Sequence, residues 1–233
     1  MIETPKPLAG WVAPPPPGRM VLEGRHVRLE ALTEAHAAAL HEANSSAANW
    51  AYLPYGPYAR QEDYAAWVSE VSRHPDPLFF AICARGSGRP VGVASYLRIA
   101  PAAGSIEVGH IHFSPALQGT VGATETMALM MAWAFRAGYR RYEWKCDAAN
   151  RPSRRAAQRL GLSYEGIFRQ AGVVKGRNRD TAWFAAIDAE WPALEAAFET
   201  WLAPENFDAE GRQRQSLSAL TRPILVARDP EAE

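Results

Sequence analysis

The segment Ile106-Glu107-Val108-Gly109-His110-Ile111-His112-Phe113 combines a carboxylate and two imidazoles at strand-like spacing. It leads through Ser114-Pro115-Ala116-Leu117 into a run of small residues, Gln118-Gly119-Thr120-Val121-Gly122-Ala123, and directly on into a long apolar helix. A strand, a flexible turn and a helix N-terminus together make an anion site. The first helical turn has unpaired N–H groups, and the macrodipole adds about half a positive charge there. Gly119 and Gly122 let a backbone come close to a pyrophosphate. A dinucleotide fingerprint would need G-x-G-x-x-G, and a P-loop would need Gly-Lys-Ser/Thr; neither is present.

Beside this turn, Glu107 is a candidate general base, acting through water and with its pKa raised if buried. The competing reading makes it a solvent-facing strand residue, or one paired with an arginine such as Arg98. His110 and His112 titrate in the right range for acid–base work. On an ideal strand they fall on the opposite face from Glu107 unless a bulge breaks the alternation. Two histidines at i, i+2 without a third ligand nearby do not make a metal site, so no metal is expected.

The elements that must carry these residues follow from periodicity and punctuation. A strand is predicted at 25–29, a helix at 33–44 and a second helix at 61–73. Strands follow at 78–84, 90–99 and 104–113, with Arg85-Gly86-Ser87-Gly88-Arg89 as a hairpin turn. The helix over 122–137 ends at Gly138; a strand at 142–147 and a helix at 152–160 follow, then strands at 163–174 and 180–188 and a helix at 191–202. Between the first two helices lies Asn49-Trp50-Ala51-Tyr52-Leu53-Pro54-Tyr55-Gly56-Pro57-Tyr58, an aromatic loop that its prolines keep from being helical. Three consecutive strands followed by a β-α-β-α-β passage indicate one α+β domain with a mixed sheet.

The chain has 233 residues, 48% of them hydrophobic, enough for a substantial core. Lys+Arg and Asp+Glu both number 25, which speaks against a large nucleic-acid surface. No apolar run approaches the roughly 20 residues of a membrane span, and the N-terminus has no signal pattern. Cys83 and Cys146 read as buried hydrophobes in strands, and a reducing cytoplasm is the expected setting. The division expected is a proline-rich arm over 1–23, a catalytic domain over 24–202 and a tail over 203–233.

The turn Gln118 to Ala123 resembles the Q/R-x-x-G-x-G/A motif of the GNAT (general N-acetyltransferase) superfamily, with Val121 where the first glycine is usual. Asn150-Arg151-Pro152-Ser153 resembles its N-x-x-A/S pattern, and Leu160-Gly161-Leu162 the closure of that helix. Tyr164-Glu165-Gly166 and the loop Trp50 to Tyr58 are similar to segments of the branch holding the ribosomal-protein N-terminal acetyltransferases (RimJ/RimL-like). The resemblance spans about Gly24 to Asp188.

The resemblance implies a strongly twisted mixed sheet of about six to seven strands, flanked by helices and splayed between two parallel strands. It implies acetyl-CoA as cosubstrate. Backbone amides of Gln118, Gly119, Thr120, Val121, Gly122 and Ala123 would hold the pyrophosphate, and pantetheine would pair along Ile111 to Phe113, with Asn150 beside it. The acetyl group would pass to a primary amine by direct attack in a ternary complex, the amine being a peptide N-terminus or a small molecule. Glu107, with His110 as the other titratable candidate, and Ser153 near the thiol would serve catalysis. The tyrosine that many members place seven residues after the asparagine is here Ala157, which removes the usual general acid. Trp50, Tyr52, Tyr55 and Tyr58 would wall the acceptor side, or pack over the core instead. Arg151, Arg154, Arg155 and Arg159 would either reach the coenzyme's 3′-phosphate or be solvated. The alternative function is a non-catalytic acyl-CoA sensor. A homodimer is compatible with all of this.

Overall fold

The computed structural model describes residues 8–231. Eight strands form one sheet in the order β1-β2-β3-β4-β5-β6-β8-β7. They are β1 (Leu22–Glu23), β2 (Val27–Ala31), β3 (Leu78–Ala84), β4 (Pro90–Ala100), β5 (Ser105–Phe113), β6 (Arg141–Asp147), β7 (Ser163–Val174) and β8 (Arg177–Ile187). The strand not foreseen is the two-residue β1, too short to carry a pattern. All neighbours pair antiparallel except β5 and β6, which run parallel and are joined through the helix α3 (Val121–Arg136). A parallel pair needs such a crossover.

Two helical layers cover the sheet. Strand β3, Leu-Phe-Phe-Ala-Ile-Cys-Ala, is apolar throughout because both its faces are buried. Phe79 and Ala81 point to one side, where α1 (Ala37–Ala43) and α2 (Gln61–Val71) deliver Leu40, Tyr64 and Val68. Phe80 and Ile82 point to the other. There they meet α3, α4 (Arg151–Arg159) and α5 (Trp191–Leu202) through Met130, Ala157 and Leu194. The helix expected over 33–44 begins as a 3-10 turn, and the aromatic loop opens with another at Ala47–Trp50.

Buried Glu125 on α3 fixes the entry into β2: its carboxylate accepts the N–H groups of Arg25, His26 and Val27 at 2.7, 2.7 and 2.9 Å. The N-terminal segment lies along the domain. Arg140 stacks over Trp11 with 5.7 Å to the ring centre, and the Tyr139 hydroxyl donates to the Pro15 carbonyl at 3.2 Å. Residues 203–231 fold back over α4, adding a short helix α6 (Leu217–Thr221) and burying Leu217, Thr221 and Asp229. Among the described residues, no helix is long and apolar enough to cross a membrane.

Candidate active site

The parallel strands β5 and β6 pair from Ser105 opposite Arg141 to Val108 opposite Trp144, and no further. Beyond that rung β5 stays with β4 and β6 stays with β8. The residues after Val108 therefore border a cleft instead of a strand. The opening is a cavity of about 1190 Å³, with Gly109, His110, Ile111 and Phe113 on one wall and Lys145, Cys146 and Asp147 on the other.

A bulge in β5 decides which side chains face it. Ser95 pairs with Gly109 and Val93 with His112, so β5 has one residue more than β4 between these rungs. His110 takes φ +50°, the left-handed region that side chains other than glycine seldom enter. Strict alternation would put His110 and His112 opposite Glu107; the bulge instead brings all three to the α1–α2 side. His110 lines the cleft, stacks on Tyr55 at 5.5 Å and lies 5.1 Å from Phe79. Its Nδ1 is 3.2 Å from the Tyr55 hydroxyl. His112 is sealed in the aromatic core, 4.0 Å from Trp50 between ring centres, and its buried Nε2 has no hydrogen-bond partner among the described residues. Burial lowers both pKa values from 6.5 to about 4, with Arg98 and Arg179 adding to the effect at His110. Both rings are neutral at pH 7.

Glu107 stands at the apex of the split and is 2% exposed. Its Oε1 accepts from Arg98 at 2.8 Å, and its Oε2 lies 2.8 Å from the Lys145 ammonium, off the direction of a good hydrogen bond. Burial pushes its pKa above the ordinary carboxylate value, and the two cations oppose that rise. Glu107 thus lines the cleft and makes the expected pair with Arg98, and its burial rules out the solvent-facing reading. Lys145 reaches Glu143 at 2.7 Å and sits 3.8 Å from the Trp183 ring centre. Glu143 in turn pairs with Arg141 at 2.6 Å.

At the other end, Thr120 caps α3: its hydroxyl oxygen accepts the Ala123 N–H at 3.3 Å and donates to the Leu117 carbonyl at 2.7 Å. Gly119, at φ +71°, turns the chain into the helix. Gln118, Gly119, Thr120, Val121 and Ala123 line the cleft. Gly122 does not; a Cβ there would lie 3.0 Å from the Val27 Cγ1. Its missing side chain makes room for β2, not for a ligand. Gln118 Nε2 donates to the Phe113 carbonyl and to Asn49 Oδ1, both at 2.7 Å, and Asn49 Nδ2 donates to the same carbonyl at 2.9 Å. The Phe113 carbonyl is therefore already doubly bonded and not open to pair with a pantetheine amide. Asn49 belongs to this turn, and nothing in the sequence marked it.

On the facing wall, Asn150 caps α4 by accepting the Ser153 N–H at 3.1 Å, and Ser153 Oγ accepts from Trp144 Nε1 at 3.0 Å. Ala157 is fully buried beneath the helix. The four arginines of α4, expected to act alike, divide. Arg151 and Arg155 are exposed. Arg154 is 1% exposed and forks onto Asp229 at 2.6 and 2.7 Å. Arg159 lines the cleft, donates to the Thr124 hydroxyl at 3.0 Å and lies 4.9 Å from the Trp201 ring centre. Trp201, Phe207, Gly211 and Gln213 complete this end of the cavity, a contribution of the C-terminal region that the sequence did not suggest.

The aromatic loop divides as well. Trp50 is buried, its Nε1 donating to the Asn44 carbonyl at 2.9 Å, and Tyr58 packs edge-on against it. Tyr55 lies under His110. These three pack into the α1–α2 core and do not wall the cavity; Tyr52, Leu53 and Pro54 do. The Tyr52 hydroxyl reaches across to the Ala149 carbonyl at 3.2 Å, and Lys175 at the β7–β8 tip donates to the Trp50 carbonyl at 2.9 Å.

Away from the cleft, Glu30, His36 and Cys83 bring potential ligand atoms within 4.8 Å of one another. His36 Nδ1 accepts the Thr33 N–H, so its proton sits on Nε2, facing Glu30 at 3.0 Å. A capping box and a hydrogen bond from His36 Nε2 to the Glu30 carboxylate account for the histidine's place in this cluster.

The model of the acetyltransferase (GNAT) domain matches residues 26–163, more than half of the chain. A crystal structure of a GCN5-related N-acetyltransferase from Brucella melitensis is 45% identical, with a TM-score of 0.90 over 92% of this chain and 100% of that one. A probable GNAT-family acetyltransferase from Chromobacterium violaceum is 38% identical, with a TM-score of 0.78 over 83% of this chain and 98% of that one. RimL, a ribosomal L7/L12 alpha-N-protein acetyltransferase solved in complex with coenzyme A, shares the fold at 22% identity and a TM-score of 0.60, over 72% of this chain and 98% of its own. No curated protein matches the sequence. GNAT acetyltransferases use acetyl-CoA, and the split sheet, the capped turn and these matches together make this chain a member of the GNAT family of acetyltransferases.

Proposed function

We propose that the protein transfers the acetyl group of acetyl-CoA to a primary amine by direct attack within a ternary complex. The observation that carries this reading is the opening of β5 from β6 at the rung beside Glu107. It supplies a strand border for an amide-bearing arm, with a carboxylate at its inner end. The small residues and free N–H groups at the start of α3 suit the pyrophosphate. Arg159, beside Thr124 on the first turns of α3, adds a cation to that cradle.

The reaction needs the acceptor nitrogen deprotonated, the carbonyl oxygen stabilised and the thiolate leaving. Glu107 takes the amine proton through water. Arg98 and Lys145 favour its charged form and oppose the rise that burial causes. His110, neutral and on the same face, is the second group able to accept a proton. The nitrogen attacks the thioester carbon, the C–S bond breaks, and the sulfur receives a hydrogen bond from Ser153. That hydroxyl has its proton to give because its oxygen already accepts from Trp144. Positioning of the two substrates supplies much of the acceleration.

Within this reading the acceptor is a peptide N-terminus, as in the RimJ/RimL-like branch, or a small amine, and the setting is the cytoplasm. The unit over 24–202 holds the chemistry, and 203–231 adds the wall beside Arg159. The double pairing of Glu107 and the alanine at 157 favour one second reading, a sensor that binds acyl-CoA without turnover. Thiol release from acetyl-CoA, followed over a panel of amines and peptides, tests both. Release with any acceptor supports the enzyme; tight binding without release on every acceptor would leave the sensor.

A further inference from the structure

On the Glu107 side of the cleft stands an arginine that pairs with no carboxylate among the described residues. Arg179 on β8 lines the cavity and is half-buried. Its Nε is shut off from solvent and has no hydrogen-bond partner among the described residues. None of the ion pairs among the described residues includes it, although Arg98 and Lys145 in the same cleft are paired; Arg159, at the α3 end, has no carboxylate either but donates to Thr124 and lies against Trp201. A buried guanidinium N–H without an acceptor is unfavourable unless a ligand supplies one.

Its placement separates it from the coenzyme. In β8, Trp183 pairs with Lys145 and Thr181 with Asp147, so residues 179, 181 and 183 share the face of Lys145 and Glu107. Ala182 and Phe184 point the other way, into the core with α3 and α4. Arg179 therefore stands on the side of the sheet opposite the helices that would hold the pyrophosphate. Together with Arg98 it is near enough to His110 to help keep that ring neutral. On the side carrying Glu107, Arg179 is thus a cation with no ion-pair partner among the described residues, close to His110, the second candidate for the amine proton.

We propose that the acceptor carries a carboxylate close to its amine and that Arg179 receives it. A guanidinium presents parallel N–H donors that match a carboxylate, and the charge-assisted pair fixes orientation as well as charge. The amine is then directed towards Glu107 while the carboxylate is held by β8. Free amino acids and peptides with an acidic residue next to the N-terminus share this chemistry. The inference rests on the acetyl-transfer reading.

The test uses matched acceptors with the full chain and acetyl-CoA. Amino acids are compared with their carboxamides, and peptides bearing Asp or Glu at the second position with their Asn or Gln counterparts. The wild type is expected to favour the carboxylate member of at least one set by about tenfold or more in kcat/KM. Arg179→Gln reduces that ratio to within about twofold of unity, mainly through KM, and Arg179→Lys restores part of it. Which set shows the preference identifies the source of the carboxylate. Equal treatment of both members by the wild type, or an unchanged ratio in Arg179→Gln, overturns the proposal. Calorimetric titration of the same pairs onto the coenzyme A complex gives a second readout independent of turnover. Preferential binding of the carboxylate member that Arg179→Gln abolishes supports the role, and equal binding overturns it. Absence of turnover on every amine would count against the acetyl-transfer reading alone.

Discussion

The Trp144 indole donates to Ser153 Oγ at 3.0 Å, across the cleft wall formed by β6 and α4. Because the serine oxygen is the acceptor, its own hydrogen can be donated, and the Cys146 sulfur lies within its reach. Ser153→Ala removes that donor and strands a part-buried indole N–H. The expected result is a fall in kcat of about tenfold with little change in acetyl-CoA affinity, and a stability loss of about 1–3 kcal/mol. Steady-state kinetics and urea denaturation measure the two effects; an unaltered kcat would leave Ser153 a purely structural residue.

Glu107 is the proton acceptor in the proposed reaction. Glu107→Gln is expected to lower kcat by about a hundredfold while calorimetric binding of acetyl-CoA persists. The wild-type rate should rise with pH through a pKa above 4.5, since the carboxylate is the active form and burial raises its pKa. That acid limb should be missing in the variant. A retained limb would transfer the role to another group.

His112 links stability to pH. Its pKa in the fold is about 4 against an ordinary 6.5, so the unfolded chain binds this proton more readily between those values. The contribution is complete above pH 6.5 and is lost as pH falls towards 4. Between pH 7 and 5 it amounts to about 2 kcal/mol. His112→Phe keeps a ring against Trp50 and cannot titrate. Urea denaturation at both pH values should show the wild type losing about 2 kcal/mol more than the variant, and equal losses would contradict the assignment.

Coenzyme binding at the α3 turn is tested at Ala123, which lines the cleft, and not at Gly122, which packs on Val27. Ala123→Glu sets a negative charge beside the expected pyrophosphate. At about 5 Å and an effective dielectric near 20, the repulsion is about 3 kcal/mol, or roughly a hundredfold in Kd. Calorimetry should show that loss with an unchanged melting temperature. Unchanged affinity would remove the pyrophosphate from this turn.

Asp229 tethers the C-terminal segment to α4 through fully buried Arg154. Asp229→Ala leaves that guanidinium buried with the carbonyl of Ala148 and the half-exposed Glu231 as its remaining acceptors. A destabilisation of about 3–5 kcal/mol is expected in denaturant titration. A change below about 1 kcal/mol would mean that solvent enters and compensates.

The order of elements was legible in the sequence because helix and strand periods, glycine stops and proline breaks are local. The motif residues of the α3 turn and of Asn150 and Ser153 were legible for the same reason: a cap or an anion cradle is formed by neighbours in the chain. The sequence also offered Arg98 as a partner of Glu107, and that pair is present at the cleft. The direction of each side chain was not determined locally. One added residue between two rungs of β4 and β5 turned His110 and His112 to the side of Glu107, and alternation alone could not foresee it. Spacing made the α4 arginines look like one face, yet Asp229, 75 residues further on, claims Arg154, while the Trp201 ring meets Arg159. Arg179 was invisible as a site residue for the same reason. Its significance in the proposal is that no described residue forms an ion pair with it, and that is a property of the assembled cleft, where desolvation and distance are set by segments remote in sequence.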